Sequence, residues 1–204
     1  MSEKDSKKDI LDTATKLFVK HGKNGVSTCD IAHAAGVNKA LIFYYYGSKE
    51  KLYAAAFKNL IQTFFYEIRE KINNSEPGLP AIEVFIRNHI TIIKENQNMM
   101  KMLVRELLLT ENGQSFPLNE SADIFKSLRY EMIKVLSDAR EKGEIRYVDP
   151  VQTMVSIISL DVFYFLGKPL VQMINPTIDI EDFESNRVDH IIDLLMNGLR
   201  KDQE

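Results

Sequence analysis

Residues 27–46 read Ser27-Thr28-Cys29-Asp30-Ile31-Ala32-His33-Ala34-Ala35-Gly36, then Val37-Asn38-Lys39-Ala40-Leu41-Ile42-Phe43-Tyr44-Tyr45-Tyr46. Their punctuation decides the fold of the N-terminal part. Ser27 with Asp30 three positions later is a capping pattern, so a short helix follows from Thr28 to Ala35. Gly36 breaks it, because glycine enters the left-handed region needed to reverse a chain within a few residues. Asn38 is a favourable N-cap for a second short helix through Tyr46. A short helix, a glycine turn and another short helix make a helix-turn-helix. Ile31, Ala35, Val37 and Ile42 fall where such a motif needs its small core, and Ala32 and Ala34 permit close helix approach.

Working outward, Ile10, Ala14, Leu17, Phe18 and His21 repeat at the spacing of one helix face. Ser6 and Asp9 resemble a capping box at that helix's start, and Gly22 and Gly25 end it. On the other side Gly47 stops the motif, and Ser48 opens a long helix to about Asn73. Ser75 to Pro80 is a linker. Five further helical blocks are expected near 80–96, 98–111, 120–142, 150–174 and 180–201, with ends uncertain by about two to four residues. The breaks are Asn96-Gln97-Asn98, Asn112-Gly113 through Pro117, Gly143, Asp149-Pro150 and Asn175-Pro176. No alternating pattern predicts a strand. The fold class is therefore all-α: a three-helix head, a long fourth helix, and a helical bundle body.

The first helix, Ile10-Leu11-Asp12-Thr13-Ala14 with Leu17-Phe18 and Gly22, resembles that of the TetR family of regulators. Ser27 to Ala32 with Ala35-Gly36-Val37 is similar to that family's second helix and turn, and Asn38 to Tyr46 to its recognition helix. Ser48-Lys49-Glu50-Lys51-Leu52 looks like the start of its fourth helix. The resemblance covers about the first 60 residues at nearly continuous spacing. It implies a DNA-binding head at 1–50, with a motif at 27–46 and a family-type domain to about 66, and a ligand-sensing, dimerising domain at 51–204. Ala40, Leu41 and Phe43 stand where the family commonly has glycine, threonine and tyrosine. These positions face DNA in the family, so the departures bear on operator sequence.

On DNA, the recognition helix would lie in the major groove with its first turn toward base edges. Lys39 reaches guanine O6 or N7, and Asn38 a base edge or a phosphate. Ala40 and Leu41 suit thymine methyls, and Phe43 lacks the hydroxyl of the family residue. Tyr44 and Tyr45 suit phosphate oxygens, with Tyr46 the inward-facing member of the three. Ser27 and Thr28 sit at a helix N-terminus that attracts phosphate, and Lys49 would clamp the backbone on the other side. Charge agrees: residues 1–52 carry nine Lys against six Asp/Glu, whereas the remainder carries 17 Lys/Arg against 23 Asp/Glu.

Residues 150–174 are apolar on nearly every side, which calls for burial all round. With Val188, Ile191, Ile192, Leu194, Leu195 and Leu199 of the last block they suggest a four-helix interface between two copies. Ile158, Val162, Phe165, Ile191 and Leu195 are its expected contacts. The resemblance also implies a pocket for a small apolar or amphipathic ligand. His89, Met102, Arg105, Glu106 and Asp161 are the candidate residues, polar groups set among methionines and aliphatics.

Other classes are less well supported. His21, His33, His89 and His190 are scattered, and no metal-spaced cluster, phosphate loop or nucleophile elbow appears, so neither an enzyme nor a metal or cofactor is expected. A helical adaptor that does not bind DNA is the remaining rival. Cys29 is the single cysteine, which excludes an internal disulfide and suits a reducing cytoplasm. The longest apolar run, Val151 to Leu166, carries Asp161 and reads as too short to cross a bilayer.

Overall fold

The computed structural model describes residues 3–108 and 115–201. Ten helices account for nearly all of them: α1 (Glu3–His21), α2 (Thr28–Ala34), α3 (Lys39–Tyr46), α4 (Lys49–Asn73), α5 (Leu79–Glu95), α6 (Gln97–Leu108), α7 (Phe116–Glu120), α8 (Ala122–Glu141), α9 (Pro150–Ile174) and α10 (Ile180–Leu199). Among the described residues the only extended pairing is an isolated antiparallel bridge, Ile145 with Arg200. The all-α expectation holds.

The chain divides into two compact units. The first gathers Met1–Thr63 and Asn98–Phe125, the second Phe64–Gln97 and Lys126–Glu204. Helix α4 supplies residues to both.

In the first unit α1, α2 and α3 pack on one another. Ile10, Ala14 and Phe18 of α1, Ile31 of α2, Ile42 of α3 and Leu52 of α4 have no exposed surface. Ser27 and Asp30 close a reciprocal cap: the Asp30 N–H donates to Ser27 Oγ (3.1 Å) and the Ser27 N–H to Asp30 Oδ2 (2.8 Å). The Ala40 N–H donates to Asn38 Oδ1 at 2.8 Å, and the Lys51 N–H to Ser48 Oγ at 3.2 Å. Gly36 takes φ +65°, the left-handed geometry that the turn requires.

Three expectations are corrected. Helix α1 begins at Glu3, so Ser6 lies inside it and is not its cap; Glu3, Lys4 and Asp5 are compatible with helix and carry it upstream. The stretch around Pro117, read as a break, holds α7. Ser115 caps it through the Leu118 N–H, and Pro117 occupies its first turn, where a missing N–H costs nothing. The expected helix end near 111 and the Asn112-Gly113 break lie outside the described residues. Helix α9 runs 25 residues, about 37 Å. By length and composition alone it is long and apolar enough to cross a bilayer, because helix continues past Leu166 through Pro169.

In the second unit α5, α9 and α10 pack together. Phe85, Ile86, Ile90 and Ile93 of α5, Ile157 of α9, and Ile191 and Met196 of α10 form its core with Met132 and Leu136 of α8. Asp149 and Asp179 cap α9 and α10. Glu144 Oε2 accepts from the Leu79 N–H at 2.8 Å, satisfying a donor at the start of α5. Burial of α9 on all sides is not achieved within one chain. Only Ile157, Asp161 and Tyr164 are buried, while Val151, Val155, Phe163, Leu166, Leu170, Met173 and Ile174 stand exposed.

Candidate nucleic-acid interface

Helix α3 is held from behind and open in front. Ile42 anchors it in the head core. Tyr46 is half-buried, and its hydroxyl donates to the Lys7 carbonyl of α1 at 2.8 Å. Burial pushes that phenol up to about 12. Tyr46 is therefore the inward tyrosine, and it ties the recognition helix to α1.

The opposite face presents Asn38, Lys39, Ala40, Phe43 and Tyr44 to solvent, with Leu41 and Tyr45 half-buried. Tyr44 is 72% exposed and Phe43 44%. The rings of Tyr44 and Tyr45 meet edge to face, with centroids 5.0 Å apart. Lys39 Nζ lies 5.8 Å from the Phe43 ring centre, so the aromatic residue one turn on steadies the lysine. Asn38 spends its side-chain carbonyl on the cap and keeps its amide group for another partner. Ser27 is exposed and Thr28 half-buried at the start of α2, and Lys49 is half-buried at the start of α4. All ten candidates thus lie in the first unit, on α3 or at the adjoining starts of α2 and α4.

The remaining candidates separate between the units. His89 and Asp161 belong to the second and meet there, Nδ1 to Oδ2 at 2.5 Å, both buried. Phe85 stacks on the imidazole at 5.6 Å and Phe64 meets it edge-on at 5.7 Å. Burial drives the Asp161 carboxyl above its usual range, and the His89 hydrogen bond works against that shift. Met102, Arg105 and Glu106 belong to the first unit. Glu106 is buried and accepts from the Tyr53 hydroxyl and from Ser115 Oγ, each at 2.8 Å. Arg105 lies over Gly22, where an added Cβ would strike its Nη1.

The expected contact residues Ile158, Val162, Phe165 and Leu195 are half-buried, and Ile191 is 1% exposed within its own unit. Sequence reasoning passed over Tyr53, whose long-range bond to Glu106 has no local signal. It also passed over Arg187, which stacks on Tyr164 and donates from Nη2 to the Leu160 carbonyl at 3.3 Å.

Residues 10–56 match the family model described as bacterial regulatory proteins, tetR family. The chain is 25% identical over 195 residues to the HTH-type transcriptional regulator RutR of Escherichia coli (strain K12), covering 95% of this chain and 90% of that one. It is 26% identical over 204 residues to the HTH-type transcriptional repressor NicS of Pseudomonas putida, covering 95% and 92%. Among solved structures, a TetR/AcrR-family regulator from Thermobifida fusca superposes with a TM-score of 0.71 at 20% identity, covering 97% of this chain and all of that one. AibR, solved with isovaleryl coenzyme A and operator DNA, superposes at 0.67 and 19% identity, covering 94% and 98%.

Proposed function

The chain belongs to the TetR family of helix-turn-helix transcriptional regulators, and from that premise we propose that it is a ligand-responsive repressor binding a near-palindromic operator as a homodimer. The observation that carries the DNA-binding reading is α3 itself. Its Ile42 is locked into the head, while Asn38, Lys39, Ala40, Phe43 and Tyr44 face outward from a capped N-terminal turn. Lys39 and Asn38 read base edges, and Ala40 and Leu41 pack on thymine methyls. Tyr44, Tyr45, Ser27, Thr28 and Lys49 hold phosphates. Phe43 steadies Lys39.

The homodimer reading rests on α9. Val151, Val155, Phe163, Leu166, Leu170 and Met173 repeat at helical spacing and remain exposed, with Leu194 of α10 also exposed. A second copy that packs these faces together makes a four-helix interface and removes them from water. The same interface disposes of the bilayer alternative for α9, whose buried side carries Asp161. The division of labour is a DNA-binding head and a sensing, dimerising body, in a cytoplasmic protein that acts by binding and not by catalysis. Among the described residues no group of three or more metal-ligating side chains occurs.

A small ligand in the body, anchored by His89 and Asp161, shifts the dimer toward a head spacing that does not fit the operator. NicS is named a repressor and AibR was solved with isovaleryl coenzyme A and operator DNA, which supports both parts of this reading. The test is selection of tight sites from random duplex DNA at two salt concentrations, with the mass of the complex measured. Enrichment of a near-palindrome bound by two chains is expected. Weak, unselective binding would overturn it and favour a helical adaptor.

A further inference from the structure

Among the described residues of the second unit two buried polar atoms have no hydrogen-bond partner, and they are of opposite kind: the acceptor Asp161 Oδ1 and the donor Arg187 Nε. They are neighbours in the fold. Arg187 is bonded to the carbonyl of Leu160, the residue before Asp161, and its charge acts on the Asp161 carboxyl. Native proteins rarely leave such groups unpaired, because each costs the full desolvation of a polar atom.

Beside them α5, α9 and α10 enclose a groove of about 470 Å³. Ile90, Phe165 and Val188 give it apolar walls and Tyr164 and Arg187 also line it, while Asp161, 1% exposed, is not itself a lining residue. Asp161 is one turn from Tyr164 and Phe165 on α9, and His89 precedes Ile90 on α5. Lys94, Glu95 and Glu184 also line the groove, and Glu184 accepts from Lys168 at 2.6 Å and from the Tyr164 hydroxyl at 3.2 Å.

We propose that this groove recognises a small ring-bearing molecule with a hydrogen-bond donor and acceptor side by side, of the carboxamide or lactam type. The ligand N–H meets Asp161 Oδ1, its carbonyl meets Arg187 Nε, and its ring lies against Ile90, Phe165 and Val188. Asp161 is 1% exposed, so access requires neighbouring side chains to shift, whereas Arg187 is held by a 3.3 Å bond to the Leu160 carbonyl, by stacking on Tyr164 and by the Asp161 charge. In this dry setting each hydrogen bond discriminates strongly. A carboxylic acid would set a second carboxylate against Asp161. An amine would offer no acceptor and would bring its charge to Arg187. The proposal rests on the sensor reading and gives it a ligand class.

The test uses the full chain and three compounds of one size: benzamide, benzoate and benzylamine, with binding measured by saturation-transfer NMR. Benzamide should bind about tenfold or more tightly than the other two, the worth of one buried hydrogen bond. Asp161→Asn keeps the shape but turns an acceptor edge into a donor, so it should weaken benzamide and strengthen benzoate. Thermal melting establishes that the variant is folded, and Arg187→Lys, which lacks the Nε donor, gives an independent loss of benzamide binding. Equal binding of the three compounds, absence of benzamide binding, or unchanged benzamide affinity in Asp161→Asn would overturn the ligand class. Operator binding is measured in parallel. Benzamide binding without any effect on DNA would sink the sensor reading and leave the site standing. DNA release by benzylamine alone would do the reverse.

Discussion

Lys39, Tyr46 and Asp30 illustrate three different duties within one short motif. Lys39 is exposed and braced by Phe43. Lys39→Ala should weaken operator binding by about 1–3 kcal/mol and relax the preference at one base pair, measured by anisotropy across a panel of operator variants. Equal weakening on every sequence would make it a phosphate contact instead. Tyr46 ties helices together, so Tyr46→Phe should cost about 0.5–1.5 kcal/mol of head stability with little direct effect on base preference. Asp30 is held below its usual 3.8 by hydrogen bonds from Ser27. A depressed folded value means that the cap stabilises above 3.8 and that its contribution is lost as pH falls through the lower value. Hydrogen exchange of α2 amides should therefore separate wild type from Asp30→Asn at neutral pH, and the two should converge in acid.

At the scale of elements, the turn between α2 and α3 and the seating of α4 on α6 rest on different physics. Gly36 has φ +65° and open space where a Cβ would stand. Gly36→Ala should thus cost about 1–2 kcal/mol, the left-handed penalty alone, read from urea denaturation. A much larger loss would mean that the turn also needs the space. The Tyr53–Glu106–Ser115 chain joins α4, α6 and the cap of α7. Tyr53→Phe removes one donor from a buried carboxylate and should destabilise by about 1–3 kcal/mol. Glu106→Gln in the same background should recover part of that, because a neutral amide is cheaper to leave unpaired.

The whole molecule is governed by the surface that one chain leaves uncovered. Phe163 is 68% exposed on α9. Burying such a ring contributes about 1.5–3 kcal/mol, and a dimer buries it twice. Phe163→Ala should therefore loosen self-association measurably by sedimentation equilibrium, and operator affinity should fall with it, since each head alone holds only a half-site. A monomeric variant with undiminished operator affinity would contradict the dimer reading.

Much of this protein was legible in one dimension. Ser27, Asp30, Gly36, Asn38 and Gly47 place the motif because capping and left-handed turns are local chemistry, acting within three or four residues. Helices α4, α5, α8, α9 and α10 follow from periodicity for the same reason. Helix α7 carried its marks, Ser115 and Pro117, but five residues are too few for periodicity to register. What only tertiary structure decided is which polar groups find partners. Asp161 was grouped with the pocket candidates by residue type, and packing of α5 against α9 placed it on His89. Glu106 and Arg105 were grouped with His89 by residue type, yet folding assigned them to the other unit, Glu106 to Tyr53 53 positions away. Pairings across such distances depend on how helices dock, and no spacing along the chain encodes that.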